Sequence, residues 1–205
     1  MLTSADQTDL LTDRIRLTRT AGRAPSLIAG LRASRTLRPL DRGPGDRAND
    51  ALFEATLDQV SAAAAFAIEI VETGDPIGLT GFSAVEPAER RVTFAPIWTV
   101  ARIDEAMLVS HVAHLLTRYA FDVLAVERAE THLDWRLRRT LDLYTMLGFR
   151  CEGRLRAYFA GDGGASADAA VLSVVRREWP SLQRRQRAVL AREEWGCRLP
   201  SDRLP

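Results

Sequence analysis

The chain has 205 residues, of which 46% are hydrophobic and 27% are charged, a composition that supports a globular core and excludes wholesale disorder. Its 28 basic and 27 acidic residues leave a net charge of +1, so no global field favours nucleic acid or a membrane. All of these basic residues are arginines, which excludes a Schiff-base lysine, a lysine general base and a phosphate-loop lysine.

Cysteines and apolar runs indicate a cytoplasmic protein. Cys151 and Cys197 are too few for a disulfide framework and lack the spacing of a metal site, and we expect Cys151 to be a small buried hydrophobe. The first 17 residues lack the basic start and apolar run of a signal peptide. Because no apolar run is long enough to cross a bilayer, we expect no contact with a membrane, and we expect no metal.

The first half of the chain predicts a strand, two helices and three further strands. Residues 14–18 alternate between apolar and polar side chains, as a half-buried strand does. Residues 41–50 are dense in glycine, proline and aspartate and predict a loop. The elements are a strand 14–18, a short helix from Pro25, a helix 51–63, a hairpin of strands 66–72 and 76–82, and a strand 91–98 in which Pro96 marks an edge or a bulge.

The second half begins with the clearest helix, 104–124, whose apolar coverage predicts burial on most sides. His111 and His114 fall on its polar stripe with Arg118 and Asp122, so we expect both imidazoles to face solvent, and no third ligand suggests a metal site. A strand 128–134, a helix 138–147, a strand 149–158, a glycine-rich turn 161–164, a strand 169–176 and an arginine-rich helix from Ser181 to about 195 follow. This alternation predicts a mixed-sheet α/β domain.

Short motifs recur in a fixed order between residues 119 and 179. They are Tyr119-Ala120-Phe121, Asp134 at a strand end, Leu143-Tyr144 before Gly148-Phe149, the run 152–156, and Glu178-Trp179. Their order and spacing resemble GNAT-type N-acetyltransferases, especially the branch that acetylates the N-termini of ribosomal proteins. The resemblance covers more than half of the chain. It implies an α/β fold with a mixed, mostly antiparallel sheet, helices on both faces, and a V-shaped splay between two central parallel strands.

The resemblance also implies where acetyl-CoA or another acyl-CoA, the co-substrate, would bind. The pantetheine would lie in the splay, against the strand edge around Trp98, Thr99 and Val100. The pyrophosphate would meet the side chain of Arg102 and the first amides of the long helix, where the helix dipole favours an anion. The residues implied for those amides are Ala106, Met107, Leu108 and Val109, and Arg139 is implied as a further phosphate contact.

One catalytic residue is implied, and a second is left open. Tyr144 matches the tyrosine that protonates the leaving thiolate in this family, and a phenol with a pKa of about 10 suits that role. A packing role beside Leu143 and Phe149 explains Tyr144 equally well. The base that removes the proton of the amine is not identifiable from the sequence, and Glu69 and Asp134 are the candidates.

Three functional positions of the family are altered, which describes a degenerate pyrophosphate-binding loop on a preserved scaffold. Counting back from the helix end places the loop glycines on Glu105 and Met107. Glycine lets the backbone approach phosphates closely, and a carboxylate repels them. A strand glutamate of the family falls on Phe94, and a helix-start asparagine falls on Leu137.

Three functions remain open. The first is an N-acyltransferase that moves the acyl group of acyl-CoA to a primary amine of a small molecule or a peptide N-terminus. The second is a GNAT-fold protein that no longer uses acetyl-CoA and regulates, binds or uses another donor. The third is an RNA binder through residues 184–192, which the charge balance disfavours. We expect a flexible N-terminus at 1–12, one acyltransferase domain at 13–180, and an arginine-rich helix and tail at 181–205 that packs on the body or on a second copy in a homodimer.

Overall fold

The computed structural model describes residues 10–20, 24–33, 37–41, 50–62, 64–100, 103–160 and 166–191. Its strands are β1 (Leu10–Leu11), β2 (Ile15–Arg19), β3 (Arg38–Pro39), β4 (Ala64–Ile70), β5 (Pro76–Glu86), β6 (Arg91–Phe94), β7 (Trp98–Thr99), β8 (Arg128–Asp134), β9 (Arg150–Ala160) and β10 (Ser166–Val175). Its helices are α1 (Ala24–Ala33), α2 (Asp50–Ala62), α3 (Glu105–Arg118), α4 (Arg138–Met146) and α5 (Trp179–Leu190). The predicted turn at 161–164, most of the predicted loop at 41–50 and of both terminal extensions, Arg102 and Cys197 lie outside the described residues.

The described strands form one mixed sheet in the order β1-β2-β4-β5-β6-β8-β10-β9, with β7 beside β5 and β3 beside β7. Among these strands, β6 and β8 are the one parallel pair, and every other pairing is antiparallel. The sequence prediction of a mixed, mostly antiparallel sheet with helices beside it is confirmed.

Helices cover both faces of this sheet because successive strand residues point to opposite sides. Along β4, Phe66 belongs to the core that α3, α4 and α5 cover, whereas its neighbour Ala65 packs with α1 and α2. Gly78 of β5 allows β7 to approach closely, since a Cβ there would lie 2.1 Å from the carbonyl oxygen of Trp98. Gly148 ends α4 with a φ of 92°, a left-handed conformation that glycine adopts without strain.

Helix α3 is buried along almost its whole length, in line with its apolar coverage. The prediction that its histidines face solvent is wrong, because His111 is 0% exposed and His114 is 3% exposed. Helix α5 and the turn before β2 supply a polar partner for each imidazole. Nδ1 of His114 lies 2.8 Å from Oε1 of Gln186, and Nδ1 of His111 lies 2.8 Å from Oγ1 of Thr12.

Several boundaries differ from the sequence predictions. The long helix changes at Tyr119 into a π-helical turn that ends at Val123. The strand predicted over 91–98 breaks after Phe94, and its last part becomes the separate strand β7. Helix α5 begins at Trp179 rather than at a Ser181 cap, because Pro180 suits the first turn and the Ser181 hydroxyl donates back to a carbonyl.

Cys151 is exposed, which corrects the expectation of a buried thiol. It lies in β9, the strand at the edge of the sheet, where almost every residue is exposed. Within the described ranges, no helix is long and apolar enough to cross a bilayer. The same ranges hold no group of three or more histidine, cysteine, aspartate or glutamate side chains placed to bind a metal.

Candidate functional site

The parallel pair of strands β6 and β8 opens into a wedge. Thr93 and Glu130 are the last paired residues. Beyond them β6 ends at Phe94, β8 continues to Asp134, and the chain after β6 turns to pair with β5 through β7. This is the divergence of two parallel strands that the resemblance implies.

Tyr144 of α4 lies inside this wedge. It is 3% exposed and lines a small cavity. Burial first, and then the charge of Asp41, raise the pKa of its phenol, so the hydroxyl is protonated at neutral pH. The ring also packs edge-on against Phe149, with 5.0 Å between the centroids. Tyr144 therefore combines a packed ring with a protonated hydroxyl at a cavity. The other lining residues are Leu40, Asp41, Ala95, Pro96, Ile97, Val109, Thr131, Leu133 and Thr140.

A groove of 620 Å³ adjoins this cavity, between the first turn of α3 and α4. It brings together Ala106, Val109 and Arg139, three of the residues predicted to contact the co-substrate. Its other lining residues are Leu40, Asp104, Glu105, Thr140, Asp142, Leu143 and Met146. Three carboxylates and one guanidinium thus line the groove, a balance that repels a pyrophosphate.

The other predicted contacts are placed differently. Met107 and Leu108 are buried, and Met107 lines a separate groove of 340 Å³. Trp98 is fully buried, with its ring edge-on to Phe53 at 5.0 Å. Thr99 is buried as well, and the Val100 N–H donates to the carbonyl of Ile77 on β5 at 3.0 Å. Arg102 lies outside the described residues.

The first amides of α3, predicted to hold a pyrophosphate, already have an anionic partner. The Asp104 carboxylate caps the helix and accepts the N–H of Ala106 at 2.8 Å and that of Met107 at 3.0 Å. An N-cap aspartate satisfies the donors that a phosphate would otherwise use, and it places a negative charge at the same point. The Glu105 carboxylate pairs with the Arg38 guanidinium, with 2.6 Å between Nη2 and Oε1.

Residues 37–41, which we call the strap, span the wedge. Strand β3 of the strap pairs with β7, with Arg38 opposite Thr99. The Leu40 N–H donates to the carbonyl of Ile97 at 2.9 Å, and on the other wall the Asp134 N–H donates to the carbonyl of Asp41 at 3.0 Å. Since β5 pairs with the opposite edge of β7, both edges of that strand are hydrogen-bonded.

Acyl-CoA, the co-substrate that the resemblance implies, fits this site in part. The wedge, Tyr144 and the adjoining groove lie where the thioester and its arm are expected. The edge of β7 does not fit in this conformation, because the strap holds its backbone groups. The first amides of α3 do not fit either, because Asp104 accepts from them.

A polar cluster next to the wedge, formed by Glu130 and His132 of β8 and Tyr158 of β9, was not predicted from the sequence. Nδ1 of His132 lies 2.9 Å from the Tyr158 hydroxyl, and Nε2 lies 3.8 Å from Oε1 of Glu130. Burial lowers the pKa of His132, so the imidazole is neutral at pH 7. The signal was present in the chain: Glu130, His132 and Asp134 recur at every second position, which places them on one face of a strand that enters the wedge.

The two carboxylates that the sequence offers as a base, Asp134 and Glu69, make other contacts. The Asp134 carboxylate is fully buried, accepts the backbone N–H of Arg136 at 2.8 Å and pairs with its guanidinium at 2.5 Å. It therefore fixes the turn that follows β8. Glu69 lies on β4 and accepts the Thr18 hydroxyl of β2 at 3.0 Å, two strands away from the wedge.

Comparison with known proteins identifies the fold. No protein-family model matches the chain, and no curated protein sequence matches it. Among solved structures, a GCN5-related N-acetyltransferase from Brucella melitensis is 24% identical, with a TM-score of 0.69, and the match covers 93% of this chain and 89% of that one. A protein of T. thermophilus described as an acetyltransferase is 26% identical, with a TM-score of 0.63 and coverage of 86% and 94%.

Mutant forms of the spermidine/spermine N-acetyltransferase SpeG from Vibrio cholerae are also similar. The chain is 16% identical to them, with a TM-score of 0.62, over 83% of this chain and 98% of that one. The chain therefore shares the fold of the GNAT acetyltransferases, and such enzymes use acetyl-CoA as a co-substrate.

Proposed function

We propose that this GNAT-fold chain is an N-acyltransferase that moves the acyl group of acyl-CoA to a primary amine of a small molecule or a peptide N-terminus. The observation that carries the proposal is the wedge, where β6 and β8 part after Thr93 and Glu130 and Tyr144 lines the cavity between them. The neighbouring folds support the reaction class, since the solved structures that match are described as acetyltransferases.

Tyr144 is the proposed proton donor. Acyl-CoA would supply the activated acyl group as a thioester, and the departing thiolate needs a proton. Burial raises the pKa of Tyr144, so its hydroxyl is protonated at neutral pH and can donate a hydrogen bond to the departing sulfur. Val109 and Arg139 would then contact the arm of the co-substrate in the adjoining groove.

His132 is the proposed acceptor of the amine's proton. If its Nδ1–H donates to the Tyr158 oxygen, Nε2 carries the lone pair and lies 3.8 Å from the Glu130 carboxylate. A proton taken up at Nε2 would create an imidazolium beside that carboxylate, which stabilises it. The side chain lies on β8 between Thr131 and Leu133, which line the Tyr144 cavity from the opposite face of the strand.

A second function, a GNAT-fold protein that no longer uses acetyl-CoA, has specific support as well. Asp104 satisfies the helix amides, and the strap covers the edge of β7. Both contacts replace groups of a bound acyl-CoA by groups of the chain itself. Under this hypothesis the wedge would be a structural remnant.

Calorimetric titration with acetyl-CoA, followed by an acetylation assay on a panel of amines, separates these functions. The panel would contain a polyamine, small primary amines and peptides with unblocked N-termini. The transferase predicts saturable binding of acetyl-CoA and a mass increase of one acetyl group on at least one amine. Absence of binding at millimolar acetyl-CoA would exclude the transferase and support a GNAT-fold protein that no longer uses acetyl-CoA.

A further inference from the structure

The strap lies in the plane of the sheet between two strands, which is the place that an extended ligand would take. Leu37 packs with the core beneath α1 and α2, whereas Leu40 belongs to the core beneath α3. This alternation to opposite faces is the pattern of a strand seated between two others. Its neighbours are β7 on one side and the end of β8, at Asp134, on the other.

We propose that the strap is an internal competitor of acyl-CoA, which holds the edge of β7 until the co-substrate displaces it. The proposal rests on the proposed transferase function and adds a means of regulating it. A strand has two hydrogen-bonding edges. Strand β5 occupies one edge of β7 and the strap occupies the other, so an extended arm in the wedge has to use the groups that now bind the strap.

The side chains of the strap also fill the place of a ligand. Leu40 lines both the Tyr144 cavity and the adjoining groove, so its departure would join the two spaces. Asp41 lies near the Tyr144 phenol and contributes to its raised pKa. The strap therefore covers the proposed proton donor as well as the strand edge.

The strap is fastened to α3 by a contact that is suited to release. Arg38 pairs with Glu105 while 43% and 56% of the two side chains remain exposed. Such a solvent-exposed ion pair is a weak tie that salt screens further. The pair also turns the Glu105 carboxylate toward the strap, at the helix end where a pyrophosphate is expected.

Competition has a measurable consequence. When a protein binds its ligand in an open state alone, the apparent dissociation constant equals the intrinsic one divided by the open fraction. A substitution that weakens the seat of the strap therefore tightens acetyl-CoA binding, whereas a substitution that merely damages the fold weakens it.

The test compares Leu40→Ala with Leu190→Ala in the full chain. Both leucines are similarly buried, but Leu190 lies at the end of α5 and lines none of the cavities described above. Removal of a buried leucine side chain weakens the seating of its segment well over tenfold. Titration with acetyl-CoA is expected to show binding at least about tenfold tighter than the wild type for L40A and within about twofold of the wild type for L190A.

Amide hydrogen exchange of the wild type provides the second measurement. The Leu40 N–H is hydrogen-bonded to Ile97, so we expect slow exchange without ligand and faster exchange at saturating acetyl-CoA. If acetyl-CoA binds while Leu40 stays protected, the competition is wrong and the transferase function stands. If exchange of the amide at position 40 shows that the strap of L40A is released and acetyl-CoA still does not bind, the acyl-CoA function itself is wrong. If L40A does not fold, the exchange experiment on the wild type decides.

Discussion

The histidines of α3 and the histidine of β8 have the same chemistry in different surroundings. His111 and His114 lie inside the core, each with one hydrogen-bonding neighbour, and Nδ1 of His111 also lies 3.8 Å from the Asp13 carboxylate. His132 is 19% exposed and lies between the Glu130 carboxylate and the Tyr158 phenol. Burial lowers the pKa of all three imidazoles. A lowered pKa is therefore no sign of function by itself. What distinguishes His132 is its position beside the wedge, and substitutions in the wedge and in the core should have different effects.

Among the residues at the wedge, Tyr144 is expected to have the largest effect on kcat. The variant Tyr144→Phe keeps the packed ring and removes the proton, so we expect kcat to fall about 10³-fold with acetyl-CoA affinity close to the wild type. Stopped assays with the amine identified in the panel would measure this. Retention of kcat within about tenfold of the wild type would mean that Tyr144 is a packing residue.

The second-largest effect is expected at His132. The variant His132→Gln removes the base, so kcat is expected to fall about 10²-fold. Because burial lowers the pKa of His132, the wild type stays active below pH 6.5 and loses rate as the pH falls through that lowered pKa. The profile of H132Q should lack this acidic limb. An acidic limb that persists unchanged in H132Q would assign the titration to another group.

The core histidine gives a stability effect instead of a rate effect. Burial lowers the pKa of His111 from 6.5 to about 4. The unfolded chain therefore takes up a proton before the folded one, so the stability from His111 is complete above pH 6.5 and is lost as the pH falls toward 4. Between pH 7 and pH 5 the free energy of unfolding should decrease by about 2 kcal/mol from this group.

Urea unfolding of the wild type and of His111→Asn at both pH values isolates that contribution. Asparagine retains an N–H donor near the position of Nδ1, and the other two histidines cancel in the difference between the proteins. The wild type should lose about 2 kcal/mol more than H111N between pH 7 and pH 5. Equal losses in the two proteins would show that His111 takes up its proton at the same pH in the folded and the unfolded chain.

The sequence predicts the scaffold well because periodic patterns carry it. The apolar coverage of α3 and the alternation of β2 are local, and local periodicity is what a single sequence displays. The stripe with His111 and His114 looked exposed because its covering elements are far away in the chain: Gln186 is 72 residues from His114. The strap was missed for the same reason, since a two-residue strand has no period and its meaning comes from pairing with β7.

The smallest effect, expected for Tyr158→Phe, tests how His132 is held. The Tyr158 oxygen lies 2.9 Å from Nδ1 of His132, and when it accepts the Nδ1–H it leaves Nε2 unprotonated, as the proposed base requires. Loss of one neutral hydrogen bond lets the other tautomer form, so kcat should fall about fivefold with KM nearly unchanged.

A positioning role for Tyr158 also predicts the shape of the pH profile. The acidic limb should persist in Y158F, because His132 still titrates there, whereas it is absent in H132Q. If Tyr158 were merely structural, Y158F would have a lower free energy of unfolding but the same kcat as the wild type. If kcat of Y158F equals that of the wild type at every pH, the tautomer is set by Glu130 or by the substrate, and Tyr158 is no part of the functional cluster.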